Sequence, residues 1–451
     1  MDLSALDLIS QLRIVSSTFP DNRTGINTRY TMEDMVLGAF SVFFTQSSSF
    51  LAFQRGMQEQ TGRNNGKSLF AMQSLPTDDQ IRNVLDAVSP KLLFPVFQNC
   101  LNQIVQTGGI TQFRSDLGYL VALDGTQYFS SDNIHCENCL TKTDKKTKTV
   151  TYYHTAITPV IVAPESEHVF SLTPEYIIPQ DGSEKQDCEN KAAKRWLSAY
   201  GKDIFTIEAG VATTILGDDL YSRQPVIQAI LDQDLSYILV CKRESHKWLY
   251  DYVDHLEVGS ASEMMQLITT RKWNGKTHIV SSYRYTNHVP LKDSSDSLFV
   301  NWCEVTVTSE ETKKLLYHNA FIINHPITKD NVEMIVICGR ARWKIENENN
   351  NTLKTKGYHF EHNFGHGEKY LSATLATLIL IAFLFHTLLS LFWQPYIHLL
   401  ERVKRQRLFD AIRTFTQYYY CPNWQHFFKG LEYALDHVVT MPVPFSILPA
   451  G

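Results

Sequence analysis

The sequence lacks an excess of positive charge, internal repeats and low-complexity segments. Its 42 Lys and Arg residues are outnumbered by 47 Asp and Glu residues, which gives a net charge of −5. This balance argues against a uniformly basic nucleic-acid-binding protein, although local basic clusters can still bind phosphates. The eight cysteines are spread unevenly along 451 residues, which argues against a disulfide-stabilised scaffold.

The N-terminal segment 1–12 also lacks the basic stretch of a signal peptide, so we expect a cytoplasmic protein in a reducing environment. Hydrophobic residues make up 43% of the sequence and aromatic residues 12%, as in a folded globular protein. A chain of this length predicts two or three domains. Its positive charges form three clusters: Lys142, Lys145, Lys146 and Lys148; Lys191, Lys194 and Arg195; Arg402, Lys404, Arg405 and Arg407.

Residues 371–393 contain no formally charged side chain. The segment is long enough to span a bilayer, and Trp393, Tyr396 and the following basic cluster would suit a membrane interface. Ser, Thr and His386 inside the segment make it a poor membrane span. The alternative is a helix buried on all sides within a large domain.

The chain begins with a helical N-terminal region, residues 1–116, for which we expect DNA binding, although a purely structural bundle has the same pattern. Apolar residues recur at helical spacing over 32–57, and glycines in 62–66 predict a break. Thr77 is the predicted N-cap of the next helix, and Ser89-Pro90 begins another.

From residue 117 strand and helix patterns alternate, which predicts an α/β core with a partly parallel sheet. Its first part covers 117–257 and includes a buried strand that ends in a turn at Asp124-Gly125, and a strand at 168–177. A polar stretch, 184–201, is predicted to form a helix.

A β-rich insertion is predicted over 258–326, after which the α/β core resumes over 327–395. This second part begins with a long helix at about 330–354, capped by Thr328 or Asp330 and ended by Gly357. Residues 396–451 are predicted to form a C-terminal helical segment.

Three acids occupy positions suited to a metal site. Asp124 and Asp218 each follow an apolar strand, and Glu346 lies within the predicted long helix. Ligand sites gather at the carboxyl ends of strands in α/β sheets, and carboxylate oxygens favour Mg²⁺ or Mn²⁺. Two such ions about 3.5–4 Å apart can promote phosphodiester chemistry. Each acid taken alone is more readily explained as a turn or surface residue, and the adjacent Asp219 is an alternative to Asp218.

Three sequence blocks surround these acids: LDGTQYFSS (123–131), GDDLYSRQP (217–225) and RARWKIENENNNTLKTKGYHFEHNFGHG (340–367). In this order they resemble the catalytic blocks of DDE transposases from bacterial insertion sequences, within the retroviral integrase and RNase H-like superfamily. The resemblance covers roughly 117–395. A β insertion before the glutamate is typical of one branch of that family.

The resemblance implies an α/β fold with an RNase H-like catalytic core. Asp124, Asp218 and Glu346 match the family's catalytic acids, so it implies that they hold two Mg²⁺ or Mn²⁺ ions. Arg342 matches an arginine expected to contact a DNA phosphate. The family often has a tyrosine three residues before this arginine, where this sequence has Gly339.

The family's lysine lies seven residues after the glutamate, where this sequence has Leu353 followed by Lys354. Because 346, 350 and 354 share one face of an α-helix, Lys354 can still reach the same DNA strand. Lys356 in the same block is a further candidate DNA-binding residue. Trp302, on an insertion strand, is a candidate for stacking on an unpaired base, with core packing as the preferred interpretation.

The implied function is metal-dependent cleavage at transposon ends, followed by transfer of the freed 3′-hydroxyl to target DNA. The implied partners are DNA and a second copy of the chain, at the nucleoid in the cytoplasm. In this family 371–393 would be a core helix, so we expect no membrane association. The alternatives are a related nuclease without strand transfer, a membrane-anchored protein that uses 371–393, and an inactive DNA-binding relative.

Cysteine and histidine residues form a second candidate metal site. His135, Cys136 and Cys139, with His154 downstream, can bind zinc, although reduced structural cysteines are the commoner explanation. Three histidines follow the predicted long helix at spacings of three and four: His359, His362 and His366. We expect these to be structural or close to DNA.

Overall fold

The computed structural model describes residues 3–21, 23–179, 188–256 and 265–436. The boundary predicted between 257 and 258 therefore lies outside the described residues. So do the first four residues of the helix predicted at 184–201 and the chain beyond Asp436.

The described residues form fifteen α-helices and fourteen β-strands. The helices are α1 (Ala5–Ser16), α2 (Met32–Phe44), α3 (Phe50–Gln58), α4 (Gln60–Phe70), α5 (Asp78–Leu85), α6 (Pro95–Gln106), α7 (Glu189–Phe205), α8 (Gln224–Leu231), α9 (Lys247–Asp254), α10 (Val332–Arg340), α11 (Asn351–Thr355), α12 (Leu371–Phe392), α13 (Gln394–Arg402), α14 (Arg405–Tyr418) and α15 (Trp424–Asp436). The strands are β1 (Arg114–Ser115), β2 (Gly118–Ala122), β3 (Gly125–Ser131), β4 (Leu140–Thr143), β5 (Val150–Ile157), β6 (Val160–Val162), β7 (Phe170–Ser171), β8 (Glu175–Ile177), β9 (Thr213–Gly217), β10 (Ser236–Val240), β11 (Gln266–Trp273), β12 (His278–Pro290), β13 (Phe299–Ser309) and β14 (Leu315–Ile323).

The N-terminal region is helical, as predicted. Thr77 caps α5 in a capping box with Gln80, which confirms the predicted N-cap. The predicted break at 62–66 is wrong, because these residues lie inside α4. The Asn65 side chain donates hydrogen bonds to the carbonyls of Thr416, 2.8 Å away, and Tyr419, 2.6 Å away. This contact with α14 offsets the low helix propensity of the glycines.

A mixed ten-stranded sheet forms the centre of the molecule. Its order is β11-β12-β13-β14-β10-β9-β2-β6-β7, with β1 paired to β2. Strands β2, β9 and β10 are parallel neighbours, while β6 and β14 pair antiparallel on either side of this trio. The prediction of an α/β core with a partly parallel sheet is confirmed at this level.

The β-rich insertion is an extension of this same sheet. Strands β11 to β14 form an antiparallel meander, and β14 joins β10 with Ile323 opposite Ile238. The insertion therefore lengthens the central sheet beyond the parallel strands instead of forming a separate layer.

Two local predictions in the first part of the core are wrong. The chain does not turn back at Asp124-Gly125 but continues into β3, which belongs to a small sheet of order β3-β5-β4 with β8 on β5. The strand predicted at 168–177 is divided between β7 in the large sheet and β8 in the small one. Pro174 lies in the gap, where it has no backbone N–H to donate to a strand partner.

The long helix predicted at 330–354 is interrupted. Helix α10 ends at Arg340, a π-helical segment covers Ile345–Asn350, and α11 completes the element. The helix begins after Asn331 instead of Thr328 or Asp330. Gly357 has φ of 92°, in keeping with the predicted end. The helical spacing of apolar residues could not reveal the π-helical turn, which is wider than an α-helical turn. This turn also makes contacts with other parts of the protein.

Helix α12 has the length and composition of a membrane span, with a mean hydropathy of 2.3 in its most apolar window. In this structure 89% of that window is buried within the protein. Its Thr374 hydroxyl donates to the Val88 carbonyl, 2.7 Å away, and the Tyr176 hydroxyl donates to the Ala373 carbonyl, 2.8 Å away. Helix α12 thus packs as a core helix between the N-terminal helices and the small sheet.

Candidate functional site

Asp124 and Asp218 end two neighbouring parallel strands. Ala122 of β2 lies opposite Leu216 of β9, and each acid follows two residues later. The Leu123 N–H donates to the Leu216 carbonyl, 2.9 Å away, which continues the pairing to the edge of the sheet. Because paired strands are about 4.8 Å apart, the two acids lie side by side at the same edge. This is the position that the sequence predicts for them.

The segment that contains Glu346 is hydrogen-bonded to Asp124. Asn350, four residues after Glu346, donates from Nδ2 to Asp124 Oδ2 at 2.7 Å. Asn350 Oδ1 accepts from the Thr158 hydroxyl at 3.2 Å, and Asn349 donates to the same hydroxyl at 3.0 Å. This buried polar network attaches the π-helical turn to the sheet edge.

Arg342 and Glu346 form an ion pair, with Nη2 and Oε1 2.7 Å apart. The Arg342 side chain is only 11% exposed, whereas that of Glu346 is 40% exposed. Arg342 is therefore the anchored partner, and Glu346 has solvent on one side into which it can turn.

Glu189 is a fourth acid at this edge. It lies in the polar stretch predicted to form a helix and was not among the predicted site residues. In the structure Glu189 Oε1 accepts from the Gly125 N–H at 3.1 Å and from the Tyr221 hydroxyl at 2.6 Å. A Cβ atom at Gly125 would lie 2.5 Å from Glu189 Oε2. The missing side chain therefore lets the first residue of α7 approach the peptide after Asp124, a contact that only the glycine hints at in the sequence.

The four carboxylates share one electrostatic environment. The pKa of Asp124 is raised to about 7, with burial as the largest cause and the charge of Glu189 as the second. The charges of Glu346 and Asp218 also raise this pKa, whereas that of Arg342 lowers it. Burial also raises the pKa of Glu189, against the hydrogen bond from Tyr221. One arginine does not neutralise this cluster, so a divalent cation would relieve the repulsion.

The oxygen atoms of these carboxylates lie farther apart than the ligand atoms of a single metal ion. In the described part of the chain, the groups of three or more candidate ligand atoms within 4.8 Å of one another do not include these acids. Glu346 is turned towards Arg342.

Asp219, the alternative to Asp218, is occupied elsewhere. Its Oδ1 accepts from the Lys242 N–H at 2.6 Å, and its Oδ2 accepts a short hydrogen bond from the Ser245 hydroxyl. Asp218 instead accepts from the Leu220 N–H at 2.8 Å and raises the pKa of both Asp124 and Glu189, although burial is the largest cause for each. The contacts favour Asp218 as the ligand.

The candidate DNA-binding residues have different surroundings. Lys354 forms an ion pair with Glu361 at 2.8 Å, and Lys356 is exposed just after α11. The face predicted to join 346, 350 and 354 runs through the π-helical segment Ile345–Asn350. Trp302 is 0% exposed and packs edge-on against Tyr250. Its assignment to base stacking is wrong for this structure, because its ring lies in the core.

The predicted basic clusters also differ. Lys142, Lys145, Lys146 and Lys148 are exposed on the hairpin between β4 and β5. Arg195 pairs with Glu175 at 2.7 Å. In the third cluster Arg402 pairs with Asp436, and Arg405 donates from within the protein to the Tyr358 hydroxyl at 2.7 Å, while Lys404 and Arg407 are exposed.

The cysteines of the CxxC motif meet two histidines. Cys136, Cys139, His154 and His366 each offer one ligand atom, and these atoms all lie within 4.8 Å of one another. His366 was not predicted to join the motif. His135 lies outside the cluster, exposed and stacked on Tyr152.

His359 and His362, the other two histidines after the interrupted helix, are not in the cluster either. A hydrogen bond from Cys136 lowers the pKa of the Cys139 thiol to about 7, so its metal-binding thiolate form is accessible near neutral pH.

A scan against protein-family models finds no match to this sequence, and a search of curated proteins finds none either. The functional interpretation therefore rests on the residues of the two sites and on the resemblance of the three sequence blocks.

Proposed function

We propose that this protein is a DDE transposase with an RNase H-like core. It would cleave DNA at transposon ends and join the freed 3′-hydroxyl to target DNA. One observation carries the proposal: Asp124 and Asp218 end adjacent parallel strands, and the segment with Glu346 is hydrogen-bonded to Asp124. Two strand-end acids and one helical acid at a single sheet edge are what the resemblance requires.

Asp124, Asp218 and Glu346 would hold two Mg²⁺ or Mn²⁺ ions. The donor set consists of oxygens, and burial among like charges makes ionised Asp124 unfavourable without a cation. When bound, the ions would activate water or a 3′-hydroxyl and stabilise the leaving oxygen. Two ions need a wider set of ligands than one, and Glu346 has the exposed space to turn from Arg342 towards them.

The chain's own residues orient this site. Asn350 holds one Asp124 oxygen, so the other oxygen is left for a ligand. Glu189 fixes the Gly125 peptide between Asp124 and β3. When Glu346 turns away, the Arg342 guanidinium is freed to bind a DNA phosphate through paired N–H donors.

In this proposal DNA contacts also come from the N-terminal helices, from Lys354 after release of Glu361, and from Lys356. The protein would pair two transposon ends as a homodimer, at the nucleoid in the cytoplasm. The buried position of α12 is compatible with a protein that is not inserted in a membrane.

Cleavage can be tested on linear DNA that carries both flanks of the protein's own coding sequence. We expect Mg²⁺- or Mn²⁺-dependent strand cleavage by the wild type. Asp124→Asn, Asp218→Asn and Glu346→Gln should each lose activity on the order of 10³-fold or more. Glu348→Gln is the matched control, because it removes a nearby charge from the same helical segment. Full activity of Glu346→Gln, or cleavage without divalent ions, would contradict the proposal.

A second assay separates transposition from plain hydrolysis. Precut DNA with a free 3′-hydroxyl is incubated with a supercoiled plasmid, and joined products are mapped. Joined products support the transposase. Cleavage without any joining would instead identify a related nuclease, which uses the same acids.

A further inference from the structure

Two thiol sulfurs and two imidazole nitrogens from two distant parts of the chain meet beside the small sheet. Cys136 and Cys139 precede β4, His154 lies on β5, and His366 lies between α11 and α12. We propose that these four residues bind one zinc ion in a closed structural site. The site is separate from the carboxylates, and the proposal does not rest on transposase activity.

The spacing of the ligand atoms fits a tetrahedron around zinc. With Zn–S near 2.3 Å and Zn–N near 2.05 Å, neighbouring ligands lie about 3.8 Å apart for two sulfurs, about 3.6 Å for sulfur and nitrogen, and about 3.3 Å for two nitrogens. The two Sγ atoms are 3.9 Å apart, and the Nε2 atoms of the two histidines are 3.1 Å apart.

The mixed distances fit as well. His154 Nε2 lies 3.6 Å from Cys136 Sγ and 3.4 Å from Cys139 Sγ, and His366 Nε2 lies 3.5 Å from Cys139 Sγ. A separation of 3.9 Å between the sulfurs is far too long for a disulfide, in which it is about 2.0 Å.

The hydrogen bonding of His366 suits a ligand. Its Nδ1 lies 2.8 Å from the Gly367 carbonyl, which can only accept, so Nδ1 is the donor and Nε2 is the ring nitrogen that faces the cluster. Zinc-binding histidines are commonly oriented in this way by a hydrogen bond from the other ring nitrogen.

The surroundings indicate a structural role. Cys139, His154 and His366 are buried, and the rings of Tyr128 and Phe129 pack against the two imidazoles. Four protein ligands complete the coordination of zinc, whereas catalytic zinc sites keep an open position.

Zinc would join the basic hairpin to the chain after the interrupted helix. His154 and His366 are 212 residues apart in sequence. Asn138 reinforces the connection by donating to the Lys369 carbonyl at 2.8 Å. The ion would thereby fix the β4–β5 hairpin and its exposed lysines against this segment.

The metal content of the purified full-length chain tests the proposal. Prepared without chelators, the wild type should contain about one zinc ion per chain by elemental mass spectrometry. Cys139→Ser and His366→Ala should each retain roughly tenfold less zinc. His135→Ala is the matched control, since it removes a histidine next to Cys136 that lies outside the cluster, and it should keep the ion.

Cobalt substitution of the wild type gives an independent measurement. It does not require any variant to fold. Co²⁺ held by two thiolates and two imidazoles should show sulfur-to-cobalt charge transfer and intense tetrahedral visible bands. A folded wild type with neither zinc nor this spectrum overturns the proposal, as does full zinc content in His366→Ala. Asp124→Asn should keep its zinc, so failure of the transposase proposal and failure of the zinc proposal are distinguishable.

Discussion

Replacing Asp124 with Asn should stabilise the metal-free protein at neutral and alkaline pH. Burial, and after it the charge of Glu189, raises the pKa of Asp124 from 3.8 to about 7. Between these pH values the folded state keeps a proton that the unfolded chain has released. The free energy of unfolding therefore falls as pH rises, and it stays low above pH 7. Asn has the same shape without the charge, so it escapes this penalty.

The size of the effect follows from the pKa interval. The pKa interval from 3.8 to about 7 corresponds to a free energy of roughly 4 kcal/mol, at about 1.4 kcal/mol per pKa unit. Because Asp124 is partly exposed, solvent screening should reduce this free energy by about half, to roughly 2 kcal/mol. With about 2.1 cal/mol/K of unfolding entropy per residue, this raises the Tm of a chain of this length by roughly 2 °C.

Thermal unfolding of wild type and Asp124→Asn, measured from pH 5 to pH 8.5 in buffer without Mg²⁺, tests this reasoning. The variant's advantage should grow as pH rises towards 7 and then remain constant. Added Mg²⁺ should raise the Tm of the wild type but not that of the variant, and Glu348→Gln should respond as the wild type does. An advantage that is independent of pH, or a variant less stable than the wild type at every pH, would refute the argument.

Three further predictions concern the two sites. Gly125→Ala should cost about 1 kcal/mol in chemical denaturation, because its Cβ would push the flexible Glu189 carboxylate away and break its hydrogen bond with the Gly125 N–H; unchanged stability would contradict a contribution from this bond. Arg342→Ala removes a charge that lowers the pKa of Asp124, so the acidic limb of the cleavage pH profile should move to higher pH; an equal move in Lys344→Ala would contradict a specific effect. A nitrogen-donor chelator should remove zinc and lower the Tm, whereas withdrawal of Mg²⁺ should stop cleavage and leave the zinc in place; loss of both ions together would contradict two separate sites.

The sequence predicts the strand-end acids well because the cue is local. Asp124 and Asp218 each directly follow an apolar run, and parallel pairing of two such runs brings their ends to one edge. The core position of α12 was implied by the resemblance, because composition alone is compatible with both a core helix and a membrane span. Features set by short-range pattern, such as the capping box at Thr77, are likewise predictable.

Features set by distant contacts could not be predicted in the same way. Glu189 lies in a polar stretch predicted to form a helix, and its contacts with Gly125 and Tyr221 place it at the site. The π-helical segment Ile345–Asn350 could not be predicted from helical spacing. His366 could not be assigned to the CxxC motif, because no spacing rule joins residues more than two hundred positions apart. The periodicity of a sequence indicates the structure of one helix or strand at a time, whereas these features depend on contacts between two or more elements.

The small sheet links the two candidate sites. Asp124 immediately precedes β3, His154 lies on β5, and these strands pair with Gly125 opposite Ile157. The 340–367 block contacts both places, through Asn350 at Asp124 and through His366 at His154. The 340–367 block thus contacts one pair of strands at two points. The number of residues between Asn350 and His366 is therefore constrained by the tertiary structure. This constraint gives a physical reason for the turn-rich sequence after α11, since a straight continuation of the helix would carry His366 away from the small sheet.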